Sequence, residues 1–338
     1  MSRIAQQDCL ISFGANLGNP ADTIRQAAKL LQQQLQLDDT NFRLSRLFGT
    51  PPVGGPVGQP PFVNAVAALR TTANPWSVWQ HIREIELTLG RRRNQRWEAR
   101  AIDLDILLFD HARIWSPQLK IPHPRMAMRR FILVPALDVA ERWIDPVSQL
   151  SITDLASRLQ ARPASVLVVG QRSAGIERLA LDAARKAMAE WVDPLISTEQ
   201  SVRGAPEPLE TDAPVIEVFQ LKRGVDRQPG LSHGRWIGFL PSEMLNESRL
   251  LLTEQRPKLT MVIAPPMAQE GAAWEDLYRS MAERMELSDP PRSDGACAKW
   301  PIDGPRYLLA GDDLQWAEHE IVSALEAMDC PIEPIVEV

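Results

Sequence analysis

Residues 101–109, AIDLDILLF, contain the pattern from which the fold of this chain can be worked out. The stretch is apolar enough for a buried strand, and residues two apart on a strand point to the same face of a sheet. Asp103 and Asp105 therefore share one face, and Leu104 and Ile106 share the other. Two carboxylates on one face repel unless something neutralises them, and Mg²⁺ does so with oxygen ligands. A solvated strand face or ion pairs with nearby arginines would explain the same pair.

The ten residues 91–100, just before this strand, contain five arginines and Trp97. Arginine carries a planar fork of donors that suits phosphate oxygens, and an indole between guanidinium groups can stack on a heteroaromatic ring. A basic loop followed by an acidic strand is typical of phosphoryl transfer, in which positioning and charge neutralisation do most of the work. A solvated loop would also account for the charge run taken alone.

Strand and helix patterns surround this centre in the first half of the chain. They predict strands near 9–13, 42–49 and 62–69, helices at about 20–35 and 75–89, short extended pieces near 130–134, and a last helix around 150–160. The order β-α-β-β-α-β is that of a ferredoxin-like α+β sandwich, with helices on one face of an antiparallel sheet.

The second half has a different pattern. Arg162-Pro163 marks a boundary, so we expect two domains, 1–160 and 163–338. Strands predicted at 166–170, 214–219, 259–263 and 307–310 alternate with helices near 176–191, 272–286 and 314–328. Such alternation predicts a second, α/β domain with a parallel sheet. The stretch 196–235 is rich in Pro, Gly and charge and predicts a loop.

Composition and charge limit the class of protein. The 338 residues are 44% hydrophobic and 24% charged, as in globular proteins. No run of about 18 apolar residues occurs and no secretory signal is apparent, so we expect neither membrane insertion nor export. Cys9, Cys297 and Cys330 lack disulfide or metal spacing, which fits a reducing cytoplasm.

The charge is divided unevenly along the chain. Residues 1–160 carry 19 basic and 14 acidic residues, net +5, and the remainder carries 18 and 29, net −11. Because the arginines bunch at 91–100, the excess favours an anionic small molecule over a nucleic-acid track. An RNA-binding module would need more stacking aromatics than Trp97 alone.

Further motifs accompany the acidic strand: GANLGNP at 14–20, TPPVG at 50–54, FVNAV at 62–66 and IPHPRMAMRRF at 121–131. With GRRRNQRWEARAIDLDILLF at 90–109, they resemble the 6-hydroxymethyl-7,8-dihydropterin pyrophosphokinase family over about residues 8–160. The resemblance implies that pyrophosphate passes from Mg·ATP to a hydroxymethyl-dihydropterin and that AMP leaves, without a covalent enzyme intermediate.

The same resemblance assigns roles to residues of this chain. It implies that Asp103 and Asp105 hold two Mg²⁺ ions on the ATP phosphates. The triphosphate would be engaged by Arg93, Arg100, His123 and Arg129, the first two also counted with the aspartates as catalytic. Glu86, Trp97 and Ile106 match positions near the nucleotide. The pterin would lie between Trp97 and Phe131, with its edge read by Thr50, Pro52, Val53 and Asn64.

One departure from the family lies inside this motif. The family usually has W-G-P-R-T where this chain has Trp97-Glu98-Ala99-Arg100-Ala101. Losing Gly and Pro alters a loop that closes over ATP, and Glu98 adds negative charge near the phosphates. We therefore expect an active enzyme with weakened ATP affinity. The alternative is a pterin- and nucleotide-binding protein with weakened catalysis and a regulatory C-terminal domain.

The second half contains a degenerate phosphate-loop pattern. Gly170 and Gly175 have the GxxxxG spacing after a strand, but Ile176 and Glu177 replace the expected Lys and Ser/Thr. Together with KLTMVIAPP at 258–266 and the stretch 304–325, this order resembles the deoxynucleoside kinases. The resemblance implies a P-loop-like fold without catalysis, in a structural, dimerising or regulatory role.

Overall fold

The structure is a computed structural model. It describes residues 5–56, 58–91, 100–161, 163–192, 234–244, 257–264, 281–283, 285–287 and 302–336.

The first half is built on an antiparallel sheet. Its strands are β1 (Gln7–Ala15), β2 (Phe42–Leu44), β3 (Phe48–Thr50), β4 (Phe62–Thr71) and β5 (Asp103–Phe109). β1 lies between β4 and β5, while β2 and β3 both pair with β4. One face is covered by α1 (Pro20–Gln34) and α2 (Pro75–Thr88). This arrangement confirms the predicted α+β ferredoxin-like fold.

Both helices on this face begin as the sequence predicts. A proline opens each one, where its missing N–H costs little. The side chain of Asn74 accepts a hydrogen bond from the backbone N–H of Ser77 at 2.9 Å and caps α2. Ile24, Ile82 and Ile85 then bury the apolar sides of the two helices against the sheet.

The opposite face of the sheet is covered as well, by α3 (Arg130–Ala140), and α4 (Ile152–Gln160) packs against α3. The prediction of extended structure at 130–134 is therefore wrong, and helices do not lie on one face alone. Pro135 removes one helical hydrogen bond inside α3. Burial of Ile132, Leu133 and Ala136, which share one side of the helix, outweighs that loss. The predicted helix at 150–160 is confirmed.

A short hairpin leads into α3. Its strands are β6 (Ile114–Trp115) and β7 (Lys120–Ile121), which pair antiparallel. The Pro-bracketed turn with His123 follows β7 directly, and a 3₁₀ turn at Met126–Met128 precedes α3. The backbone N–H of His123 donates to the carbonyl of Leu107 on β5 at 2.9 Å. This bond holds the turn beside the acidic strand.

The second half contains a five-stranded parallel sheet. Its strands are β8 (Ser165–Gly170), β9 (Glu190–Val192), β10 (Trp236–Pro241), β11 (Leu259–Ile263) and β12 (Arg306–Leu309), in the order β12-β11-β8-β10-β9. The helices α5 (Ala174–Lys186) and α6 (Leu314–Asp329) pack on it. The predicted parallel sheet is confirmed.

Other predictions for the second half missed two strands or concern residues that the structure does not describe. The strands β9 and β10 were missed because each is short or follows the Pro- and Gly-rich stretch. The predicted strand at 214–219 and nearly all of the loop at 196–235 lie outside the described residues. So does most of the helix predicted at 272–286, of which residues 281–283 are helical.

The two halves share a buried apolar cluster, and the first sheet contains a strand from the end of the second half. Leu133 of α3 and Val168 of β8 belong to the same buried apolar cluster. The last strand, β13 (Glu333–Pro334), returns to the first sheet and pairs antiparallel with β3. The domain division near residues 160–163 stays a prediction. The strand β13 comes from the second of these predicted domains but pairs with a strand of the first.

Among the described residues, no helix is long and apolar enough to span a membrane.

Candidate active site

A cavity of about 260 Å³ opens on the sheet face opposite α1 and α2. Three neighbouring strands form its floor. Asp105 on β5 lies opposite Ser12 on β1, and Asp103 lies opposite Gly14, which in turn lies opposite Asn64 on β4. Side chains alternate along β5, so Leu104 and Ile106 lie in the core beneath α1 and α2. Asp103 and Asp105 therefore share the opposite face, as predicted, and both line the cavity.

Asp103 is held between two arginines. Nη2 of Arg91 lies 2.7 Å from its Oδ1, and Nη1 of Arg100 contacts its Oδ2. The backbone N–H of Arg100 also donates to the side-chain oxygen of Asn16 at 2.7 Å. Arg91 and Arg100 thus place two guanidinium groups at the cavity wall, beside the carboxylate that they neutralise.

Asp105 faces His123. Nε2 of His123 lies 3.6 Å from Oδ2 of Asp105, and the backbone N–H of Arg125 donates to Nδ1 of His123 at 3.2 Å. Burial, together with the nearby charges of Arg129 and Arg125, lowers the pKa of His123 well below its usual value. His123 is therefore neutral at pH 7. With Nδ1 accepting, its proton is on Nε2 and points toward Asp105.

Arg129 and Arg125 form the cationic side of the cavity. Burial, and then the charge of Arg125, lowers the pKa of Arg129 to about 10, so its guanidinium stays protonated at pH 7. The Cζ atom of Arg129 lies 5.4 Å from the ring centroid of Phe131. Two half-buried guanidinium groups beside a neutral imidazole favour an anionic ligand here.

Another part of the cavity lining has the character of a heterocycle pocket. Thr50, Val53, Asn64 and Phe131 line it. The side-chain N–H of Asn64 donates to Oγ1 of Thr50 at 2.9 Å, and both residues are buried. An amide and a hydroxyl beside an aromatic ring can bind a flat heterocycle by its polar edge and its face. Pro52 follows Thr50 in the same loop but does not line the cavity.

Two residues expected near the nucleotide lie elsewhere. Ile106 is buried in the core between the sheet and α1 and α2, so its side chain does not reach the cavity. Glu86 on α2 is also buried, and its Oε1 accepts the backbone N–H of Leu104 at 3.0 Å and contacts Arg91. Glu86 therefore anchors β5 and positions Arg91. A nucleotide contact by Glu86 or Ile106 stays a prediction.

Arg93 and Trp97, together with Glu98 and Ala99, lie outside the described residues. Their predicted roles remain predictions.

Sequence reasoning missed several residues that line the cavity. Arg91 was counted in the arginine run and Arg125 stands in the quoted IPHPRMAMRRF motif, so their signals were present without an assigned role. Glu320, Ser323 and Ala327 also line it, and they come from α6 in the second half of the chain. No sequence spacing connects α6 to residues almost two hundred positions earlier.

The acidic pair fits a magnesium ion that arrives with phosphates. Asp103 and Asp105 supply carboxylate oxygens to one cavity, and Mg²⁺ bound to nucleotides commonly takes one or two carboxylates, phosphate oxygens and water. Within the described part of the chain, no group of three or more His, Cys, Asp or Glu residues could form a protein-only metal cage. The donor set thus matches a shared protein–nucleotide site.

The degenerate phosphate loop after β8 lacks these features. Ile176 is buried, and a Cβ atom at Gly170 would lie 3.1 Å from its side chain, so Ile176 fills the space beneath the loop. Oγ of Ser173 caps α5 by accepting from the backbone N–H of Ile176. The backbone N–H of Arg172 donates to the carboxylate of Glu243 at 3.4 Å. A carboxylate therefore accepts from a backbone N–H of this loop, and its negative charge disfavours a phosphate there.

Comparison with known proteins finds a family match over the part of the chain that contains β5. Residues 10–141 match the family model of 7,8-dihydro-6-hydroxymethylpterin-pyrophosphokinase. The pyrophosphokinase of Haemophilus influenzae is 36% identical over 148 residues, 44% of this chain and 90% of the relative. Those of Pseudomonas aeruginosa and Bacillus subtilis are 39% and 38% identical, over 40% and 39% of this chain and 81% and 77% of the relatives.

The fold and cavity define an α+β protein with a site for a phosphate-bearing ligand beside a heterocycle pocket. The chain belongs to the 7,8-dihydro-6-hydroxymethylpterin-pyrophosphokinase family. The family expected from the acidic strand and its flanking motifs is confirmed.

Proposed function

We propose that this chain transfers pyrophosphate from ATP to 6-hydroxymethyl-7,8-dihydropterin in folate biosynthesis, releasing AMP. The observation that carries this is one cavity lined by Asp103 and Asp105, by the arginines beside them and by the buried Asn64–Thr50 pair. The pterin hydroxyl attacks the β-phosphorus of ATP, and the bond from that phosphorus to the α,β-bridging oxygen breaks. The reaction needs no protein nucleophile.

The charged residues of the cavity position and neutralise the triphosphate. Arg91 and Arg100 already lie at the cavity wall on Asp103, so phosphate oxygens entering there meet two positive charges that are held in place. Arg129 adds a half-buried positive charge, and His123 offers a neutral N–H from Nε2. Charge stabilisation by groups that are already in place lowers the barrier without reorganisation during the reaction.

Asp103 and Asp105 are the residues that would hold Mg²⁺ in this site, and we propose two ions. When bound, Mg²⁺ neutralises phosphate charge and polarises the transferred group.

The uncharged part of the cavity lining would recognise the pterin by its edge and its face. The side-chain oxygen of Asn64 and the hydroxyl of Thr50 lie beside Val53 and the ring of Phe131. These groups match a flat ring with an amide and amino edge. We place Trp97 on the other face of that ring, and Arg93 on the phosphates.

The remainder of the chain, about residues 163–338, is proposed to be a degenerate nucleoside-kinase-like domain without catalysis. Two observations support this: buried Ile176 stands at the sequence position of the phosphate loop's lysine, and the carboxylate of Glu243 accepts a backbone N–H of the loop. A homodimer through this part is a further prediction, which sedimentation would test. We also propose the reducing cytoplasm, because the described cysteines Cys9 and Cys330 are buried free thiols.

The test is product identity. The full chain is incubated with Mg·ATP and hydroxymethyl-dihydropterin, and nucleotides are separated by chromatography. AMP formation that depends on the pterin is expected. ADP as the product would contradict pyrophosphoryl transfer. Binding of both substrates without AMP would instead support the alternative, a binding protein with lost catalysis.

A further inference from the structure

One wall of the cavity comes from α6, which lies outside the region matched by the family model. Glu320, Ser323 and Ala327 follow one another at spacings of three and four, so they share one side of this helix. Arg125, Met128 and Ile132 of the first half line the same cavity. The second half of the chain therefore borders the site where the first half would bind its phosphates.

Glu320 forms a two-point ion pair with Arg125. Nε of Arg125 donates to Oε2 of Glu320 at 2.9 Å, and Nη2 contacts Oε1. Glu320 is fully buried, and only 21% of the Arg125 side chain is exposed. The rings of Tyr307 and Trp316 lie about 6 Å from the Arg125 guanidinium. The second half thus surrounds this arginine with a carboxylate and two aromatic rings.

The pair matters because Arg125 is connected to both the imidazole and the cationic side of the site. Its backbone N–H donates to Nδ1 of His123, which sets the tautomer that faces Asp105. Its guanidinium lies near that of Arg129, and two buried like charges repel unless a counter-charge is close. Glu320 is that counter-charge. Without it, Arg125 would be a buried charge lacking its carboxylate and would move.

Ser323, one turn after Glu320, provides an independent observation. Its hydroxyl is buried and has no hydrogen-bond partner among the residues that the structure describes, although it lines the cavity. Buried hydroxyl groups are nearly always hydrogen-bonded. An oxygen-rich ligand in the cavity would satisfy it.

We infer that α6 completes the nucleotide site of the first half, with Glu320 as a positioning residue that holds Arg125 and Ser323 as a hydroxyl facing the phosphates. This inference rests on the proposed function. It gives the second half a role in the same reaction, without chemistry of its own.

The test compares Glu320→Ala with Glu326→Ala in the full chain. Glu326 lies on the same helix, half-buried and outside the cavity, so it controls for loss of a carboxylate from α6. We expect Glu320→Ala to raise the KM for ATP by about tenfold, with the KM for the pterin changed less than twofold. Glu326→Ala should leave both constants unchanged.

A double-mutant cycle separates positioning from general damage. If Glu320 acts through Arg125, then adding Glu320→Ala to Arg125→Ala changes the KM for ATP no further. Equal losses in both backgrounds would overturn the inference, as would a parallel rise in both KM values with a lowered Tm. No change in Glu320→Ala would also overturn it.

Whether the proposed function itself fails is determined separately, by measuring AMP release from the unaltered chain. If that chain releases no AMP, the same variants are compared by calorimetric binding of Mg·ATP. Weaker binding in Glu320→Ala alone supports the inference, and equal binding in all three proteins contradicts it.

Discussion

The floor beside β5 and the loop after β8 both carry a sequence pattern used for phosphate binding, yet their surroundings differ. At β5, Asp103 contacts Arg91 and Arg100, and the half-buried Arg129 lines the same cavity. At the loop after β8, the space is filled by Ile176 and the amide of Arg172 donates to Glu243. A phosphate motif is therefore informative only when its neighbours supply room and positive charge.

The largest expected effect comes from removing charge at the first region. Asp105→Asn keeps the size of the side chain but not its charge, so AMP formation should fall by about a hundredfold or more. Asp110→Asn, in the turn directly after the same strand, is the matched control, since asparagine tolerates its positive φ of 44°. A loss of less than threefold in the kcat of Asp105→Asn would place the reaction elsewhere.

A lysine at the second region should not restore a phosphate site. Ile176→Lys recreates the missing cation, but it removes a buried side chain and buries an ammonium group. We expect the free energy of unfolding to fall by about 3 kcal/mol, with no ADP formed from ATP. Glu177→Lys, at the half-buried neighbouring position, should be tolerated. Unaltered stability of Ile176→Lys in urea unfolding, joined to new ADP formation, would show that the loop is still competent.

The smallest expected effect concerns a carboxylate in the first region's own loop. Glu98→Gly with Ala99→Pro restores the family pattern, and losing one negative charge near the phosphates should lower the KM for ATP by about fivefold, or ~1 kcal/mol. Glu98→Gln removes the charge but leaves the backbone sequence intact, so it separates the two causes. If neither variant changes the KM for ATP, the departure from the family has no effect on affinity.

Much of the fold could be predicted because its signals are local. The strands around Ile11 and Val66 and the helices that open with Pro20 and Pro75 follow from short-range patterning and capping. The stretch after Arg130 was predicted to be extended because Pro135 interrupts its helical pattern. It forms a helix because its apolar side is buried against β4. That competition depends on a partner strand about 70 residues earlier.

The residues of the candidate site likewise differ in whether local sequence patterns could predict them. Asp103, Asp105, Asn64 and His123 were found because their motifs are compact. Glu86 was expected at the nucleotide, yet the structure uses it to bind the backbone of Leu104 and to hold Arg91. A buried carboxylate on a helix gives no sequence sign of which neighbour it will meet.

The sequence by itself determined that Asp103 and Asp105 share one face, since the two-residue period of a strand is a property of the backbone. It also determined that the loop at Gly170 lacks its lysine. Only the tertiary structure decided which arginines reach the aspartates and that Glu320 would hold Arg125 from 195 residues away. Those contacts arise where packed surfaces meet, and packing depends on the whole chain rather than on local spacing.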